Sequence, residues 1–166
     1  TNIIDEYHEY DTDLHQKLIN LRNLILNFDD LKKYSSRINE LEREITLFHS
    51  KVINQISLKY DDKIDLIGFH GQTIYHKPQK KITKQLGDGK LLSQLIKKKV
   101  IFDFRQEDIK NNGQGAPLTP IFHYLLSKNI NNQNQISFPI SFINIGGISN
   151  ITKILRAVSY THLRAH

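Results

Sequence analysis

The chain has 166 residues, 39% hydrophobic and 24% charged, proportions of a globular chain rather than a disordered one. It has no cysteine, which excludes disulfides and cysteine-ligated zinc and fits a cytoplasmic location; no apolar stretch approaches the ~18 residues of a membrane span. The net charge of +6 is scattered through an Asn/Ile/Lys-rich background without stacking aromatics, so neither nucleic acid nor membrane is an expected partner.

The chain opens with helices. Leu14, Leu18, Leu21 and Ile25 recur on one helical face. After a loop at Asn27-Phe28-Asp29-Asp30, the residues Ile38, Leu41, Ile45, Phe48, Val52 and Ile56 mark a second helix. Glu40, Glu42, Arg43, Glu44 and Lys51 lie mostly off its apolar stripe and read as a solvated face, with His49 as a surface histidine. Both helices are expected to carry scaffold, not chemistry.

Ile64 to Gly68 then reads as a short strand running into Phe69-His70-Gly71-Gln72-Thr73. Gln72 and Thr73 supply an amide and a hydroxyl suited to sugar hydroxyls or a carboxylate, although a polar strand end with a structural histidine fits the same residues. His70 and His76 lack a third ligand at any recognised spacing, so no metal site is expected. Ile82 to Leu86 can form another strand, ending in the tight turn Gly87-Asp88-Gly89 with its exposed carboxylate. Leu91, Leu92, Leu95 and Ile96 mark a short helix that leads to a strand over Val100 to Phe104. This alternation predicts an α/β fold with a βαβ-type layered sheet.

Val100-Ile101-Phe102 reads as a buried strand closed by Asp103-Phe104-Arg105. Gln106-Glu107-Asp108 follow, then the glycine loop Asn112-Gly113-Gln114-Gly115-Ala116-Pro117-Leu118. Ligands of α/β sheets bind beyond the carboxyl ends of strands, where Asp103, Arg105 and Asp108 would stand. An ordinary strand-loop-helix junction carries the same glycine punctuation. Leu118, Ile121, Phe122, Leu125 and Leu126 mark an amphipathic helix, and residues 129–135 an asparagine-rich linker. Beyond it, two β-rich runs from Ser141 to Thr152 meet at Gly146-Gly147, the form of a hairpin whose N–H groups could bind phosphate. Neither of the glycine-rich motifs of classical P-loop and Rossmann phosphate sites occurs. Residues 158–166 resemble a translated sequencing adapter and are read as an artefact. Thr1 in place of an initiator, with no methionine anywhere, predicts a piece of a longer protein.

Gly68-Phe69-His70-Gly71-Gln72-Thr73, Gln85-Leu86-Gly87-Asp88, Asp103-Phe104-Arg105 with Asp108, Gly113-Gln114-Gly115-Ala116-Pro117-Leu118 and Asn144-Ile145-Gly146-Gly147-Ile148-Ser149-Asn150 occur in that order. Together, over about residues 64–152, they resemble the anhydro-N-acetylmuramic acid kinase family. Asn112 departs from the family's glycine there, but asparagine also tolerates left-handed backbone.

The resemblance implies a ribonuclease-H-like, actin-like ATPase fold of two lobes. Here it would be truncated to part of the first lobe (1–128) and the start of the second (129–157). It implies ATP and Mg²⁺ as cofactors, and a sugar whose 1,6-anhydro bond is hydrolysed as the γ-phosphate passes to the freed O6, in peptidoglycan recycling. Homodimerisation is a family tendency. By resemblance, His70, Gln72, Thr73, Asp88, Asp103, Arg105, Asp108 and Gln114 line the substrate cleft, with Arg105 facing a lactyl carboxylate or a phosphate. Asn144, Gly146, Gly147 and Asn150 would form the phosphate hairpin for ATP.

No residue inherits the catalytic base. The family's G-T-S-x-D-G loop is expected before this chain and its D-T-G-P-G-N aspartate beyond Thr152, so the chain alone is expected to be inactive. Two other classes remain: a non-catalytic sugar- or muropeptide-binding module, which would lack both flanking glycine motifs, and a basic nucleic-acid-binding domain, whose affinity would fall steeply with salt.

Overall fold

The computed structural model describes residues 5–60, 64–132, 137–145, 149–156 and 159–165. They divide into two compact units, Thr1–Gly115 and Ala116–His166.

The first unit begins with α1 (Thr12–Leu24), whose start is fixed by Asp11 accepting from Leu14 N at 2.8 Å. A capping box between Asn27 and Asp30 starts α2 (Phe28–Lys33), and α3 (Ser35–Tyr60) follows. Leu14, Leu18, Leu21 and Ile25 pack on Ile38, Leu41 and Ile45, the two apolar stripes that the periodicity predicts. Ile74, Tyr75 and Leu86 close this core from the antiparallel pair β2 (Gln72–Lys77) and β3 (Ile82–Leu86). The helical period buries the apolar sides of α1 and α3 here, whereas in β2 a register shift between Thr73 and Tyr75 buries the consecutive Ile74 and Tyr75 together.

A second cluster joins Phe69, Leu92 and Ile96 to Ile53, Ile67, Val100 and Phe102. It sits under β1 (Leu66–Gly68), which runs parallel to β4 (Lys99–Ile101) with Ile67 opposite Val100. The β2–β3 hairpin and α4 (Gly89–Ile96) form the crossover between them, so the expected βαβ alternation is present with a hairpin inserted. Two expectations at β4 fail. The strand stops at Ile101, because Asp103 takes a left-handed conformation (φ 59°) and Phe104 opens α5 (Phe104–Lys110). An aspartate tolerates that region where a β-branched residue would not. Nor is the strand buried: Ile101 is 48% exposed.

The second unit holds α6 (Thr119–Asn132) and an antiparallel sheet of β5 (Ile140–Asn144), β6 (Ser149–Arg156) and β7 (Ser159–Ala165). The hairpin predicted from the Gly-Gly pair is present, with Asn144 opposite Asn150. The apolar stripe expected to bury α6 does not: Ile121, Phe122 and Leu125 are exposed, while Ser127 is buried and His123 faces the sheet. His123 stacks on Phe142 with ring centroids 4.5 Å apart and bonds the Thr152 hydroxyl at 3.0 Å. The segment read as an adapter translation pairs along β6 as β7. A backbone ladder accepts any chain at an open edge, so this pairing is independent of the segment's origin.

Candidate active site

The site begins where β1 ends. Phe69 N donates to Ile101 O at 2.8 Å, extending the parallel pairing by one residue and burying the Phe69 ring. The chain then reverses at Gly71 (φ +70°), where a Cβ would lie 2.2 Å from the Leu86 carbonyl oxygen. Only glycine lets the histidine turn press this closely on the end of β3.

His70 is thereby held at the surface beside α5. Its Nδ1 lies 2.8 Å from Gly71 O, and its Nε2 lies 2.8 Å from Arg105 Nε. A carbonyl only accepts and a guanidinium only donates, so Nδ1 carries the proton and Nε2 the lone pair. Arg105 also donates Nη1 to Gly115 O at 2.8 Å. Burial draws its pKa down from the ordinary value, yet a guanidinium stays charged in proteins. Among the described residues no carboxylate pairs with it. Arg105 thus ties the distant histidine turn to the nearby glycine loop and keeps N–H donors for an incoming anion.

The glycine loop is clasped by α5 itself. Gly115 N donates to Asp108 Oδ2 at 2.7 Å and Gly113 N to Asp108 O at 2.8 Å. Asn112 takes the left-handed conformation (φ 66°) that its side chain permits. Asp108 therefore shapes the loop that presents Gly115 to Arg105. Gln114 is exposed on that loop.

Other predicted residues of the first unit stand apart from this constellation. Asp103 and Asp88 line a cavity of about 310 Å³ with Lys84, Gln85, Phe102 and Gln106 among its walls. Asp88 caps α4, its Oδ1 accepting from Lys90 N and Leu91 N, each at 2.9 Å. Asp103 is exposed and makes no capping bond to α5. Gln72 donates to Tyr10 Oη at 3.0 Å and faces a separate cavity of about 480 Å³. Thr73 accepts from Gln85 at 3.2 Å. Asn144 and Asn150 are cross-strand neighbours at the hairpin end, and Gly146 and Gly147 lie outside the described residues.

Sequence reading missed three contributors from the long helix. Glu42, expected on a solvated face, accepts from Lys84 Nζ at 2.6 Å and Gly87 N at 3.3 Å. Thr46 is fully buried and accepts from Asp88 N at 2.9 Å. Its position next to Ile45, inside the helix's apolar face, was the available signal. His49 is half-buried among Tyr10, Phe48 and Phe69, not on the surface.

The family model for anhydro-N-acetylmuramic acid kinase matches residues 3–159. The chain belongs to this family. The anhydro-N-acetylmuramic acid kinase of Pelagibacter ubique is 53% identical over 153 residues, covering 92% of this chain and 40% of that protein. Those of Brucella canis and Rhodopseudomonas palustris are each 40% identical, over 120 and 121 residues, covering 32% and 31% of those proteins. The chain therefore spans at most two fifths of the length of these relatives. Anhydro-N-acetylmuramic acid kinases have the actin-like ATPase fold, and this mixed α/β chain holds part of it.

Proposed function

We propose that the protein bearing this chain is an ATP-dependent kinase of peptidoglycan recycling. It would open the 1,6-anhydro bond of anhydro-N-acetylmuramic acid and leave N-acetylmuramic acid 6-phosphate. Family membership supports the reaction class. The observation that carries the site is Arg105, a half-buried guanidinium aligned by His70 and Gly115 with no carboxylate partner among the described residues. Such a group suits a planar anion, the lactyl carboxylate of the sugar or a phosphate.

In this reading His70, in its Nδ1–H form, orients the guanidinium, and Asp108 fixes the loop that completes the cradle. Asp103, an exposed carboxylate that makes no capping bond, would meet sugar hydroxyls, with Asp88, Gln72, Thr73 and Gln114 as further polar contacts. Asn144, Gly146, Gly147 and Asn150 would meet the nucleotide's phosphates. No three His, Asp or Glu side chains converge to hold a metal among the described residues. Mg²⁺ bound with ATP would neutralise phosphate charge, and it commonly takes phosphate oxygens, water and one or two carboxylates. A base that activates water at the anomeric carbon would come from beyond Thr152. No described helix is long and apolar enough to cross a membrane. A cytoplasmic, homodimeric enzyme is the form proposed.

Arg105→Ala in the full-length protein tests the site. Losing a charge-assisted pair should cost about 2–4 kcal/mol in kcat/KM for the sugar. Arg105→Lys should recover part of this, since an ammonium lacks the planar fork. Unchanged kcat and KM in both variants would make Arg105 a loop tether only.

A further inference from the structure

We propose that Glu42 and Thr46, on α3, are positioning residues for this site: they fix the Gly87–Asp88 turn on which both site-bearing segments rest. The proposal depends on the kinase reading only for its activity readout. Its foundation is the set of contacts around that turn.

From one side the turn is gripped by hydrogen bonds. Thr46 Oγ1 accepts from Asp88 N at 2.9 Å and donates to Glu42 O at 2.7 Å, so its hydroxyl is used in both directions. One helical turn earlier, the Glu42 carboxylate takes Gly87 N and the Lys84 ammonium. Two consecutive backbone N–H groups are therefore satisfied by side chains of a helix more than forty residues away in sequence.

From the other side the turn meets two aromatic rings. A Cβ at Gly87 (φ +136°) would lie 2.6 Å from the Phe69 ring, and one at Gly89 2.2 Å from Phe102. Phe69 directly precedes His70, and Phe102 directly precedes Asp103. A shift of the turn therefore moves the two rings, and with them the backbone that carries His70 and the start of α5 with Arg105. A misplacement of order 1 Å costs a catalytic site up to about 100-fold.

The experiment uses the full-length protein with four variants. Thr46→Val keeps the shape and removes the hydroxyl; Thr46→Ser keeps the hydroxyl. Glu42→Ala removes the Oε1 that accepts from both Lys84 and Gly87 N, and Glu42→Gln keeps an amide oxygen for Gly87 N–H. Backbone hydrogen exchange is read at Asp88 and Gly87, with kinetics toward the anhydro sugar and ATP. Thr46→Val should speed exchange at Asp88 and lower kcat/KM for the sugar roughly 10-fold or more, with KM for ATP unchanged. Thr46→Ser should restore both. Glu42→Ala should speed exchange at Gly87, with partial recovery in Glu42→Gln. Equal impairment in Thr46→Val and Thr46→Ser, or wild-type exchange and kinetics in Thr46→Val, would overturn the proposal. If the wild-type protein shows no turnover, the kinase reading fails, and the exchange comparison alone decides the brace.

Discussion

The imidazole at position 49 is enclosed by Tyr10, Phe48 and Phe69, with ring centroids 6.0, 5.5 and 5.0 Å away. Its Nδ1 donates to Ile45 O at 2.8 Å, and burial holds its pKa below the ordinary 6.5. The sign follows from proton binding: near pH 6 the unfolded chain binds a proton at this histidine more readily than the folded one. The neutral ring thus contributes stability that is complete above about pH 6.5 and is lost as pH falls through the depressed folded value. His49→Phe should flatten the decline in melting temperature between about pH 7 and 5. An unchanged decline would mean that His49 titrates as an exposed imidazole. Its helical neighbours Ile45, Val52 and Ile53 put position 49 beside the apolar stripe, but the covering rings Tyr10 and Phe69 come from other segments that the pattern does not report.

At the scale of elements, α1 and α3 were legible because their apolar residues repeat with the helical period and all meet one core. The histidine turn, the β5–β6 hairpin and the glycine loop were legible through glycines that tight turns favour, whereas β2 and its hairpin with β3 were not. Two features escaped for physical reasons. The end of β4 depends on a single left-handed aspartate, which no periodicity reports. The pairing of Glu42 with Lys84 and Gly87 is tertiary, and a helical carboxylate carries no mark of whether its partner is water or another element. The junction of α4 with β4 is tight enough to test alone. Gly89 has an ordinary φ, so Gly89→Ala meets only the steric contact with Phe102. Overpacking of this kind should cost about 1–3 kcal/mol, read from denaturant unfolding, while Lys90→Ala on the exposed side should stay within about 0.5 kcal/mol. Equal stability of Gly89→Ala and wild type would show that Phe102 moves aside freely.

For the whole molecule, composition bounded only the class, and the ordered set of motifs identified the family. The geometry then separated what sequence had grouped. Arg105, His70, Asp108 and the glycine loop form one constellation, whereas Asp88 and Asp103 line a different cavity. On sequence alone Asp103 and Arg105 share a strand end, but the left-handed turn puts Arg105 on a helix. The apolar face of α6 shows the limit of patterning, because periodicity marks a face without saying what covers it. In the proposed reaction the complete protein couples anhydro-ring opening to phosphoryl transfer, and this stretch supplies part of the site. The direct measurement incubates the full-length protein, and separately the 166-residue chain, with ATP, Mg²⁺ and anhydro-N-acetylmuramic acid, and quantifies ADP and sugar phosphate by mass spectrometry. The full-length protein should form ADP and N-acetylmuramic acid 6-phosphate in equal amounts, and the 166-residue chain neither. Sugar binding by the full-length protein without ADP formation would contradict the kinase account and leave a binding module in its place.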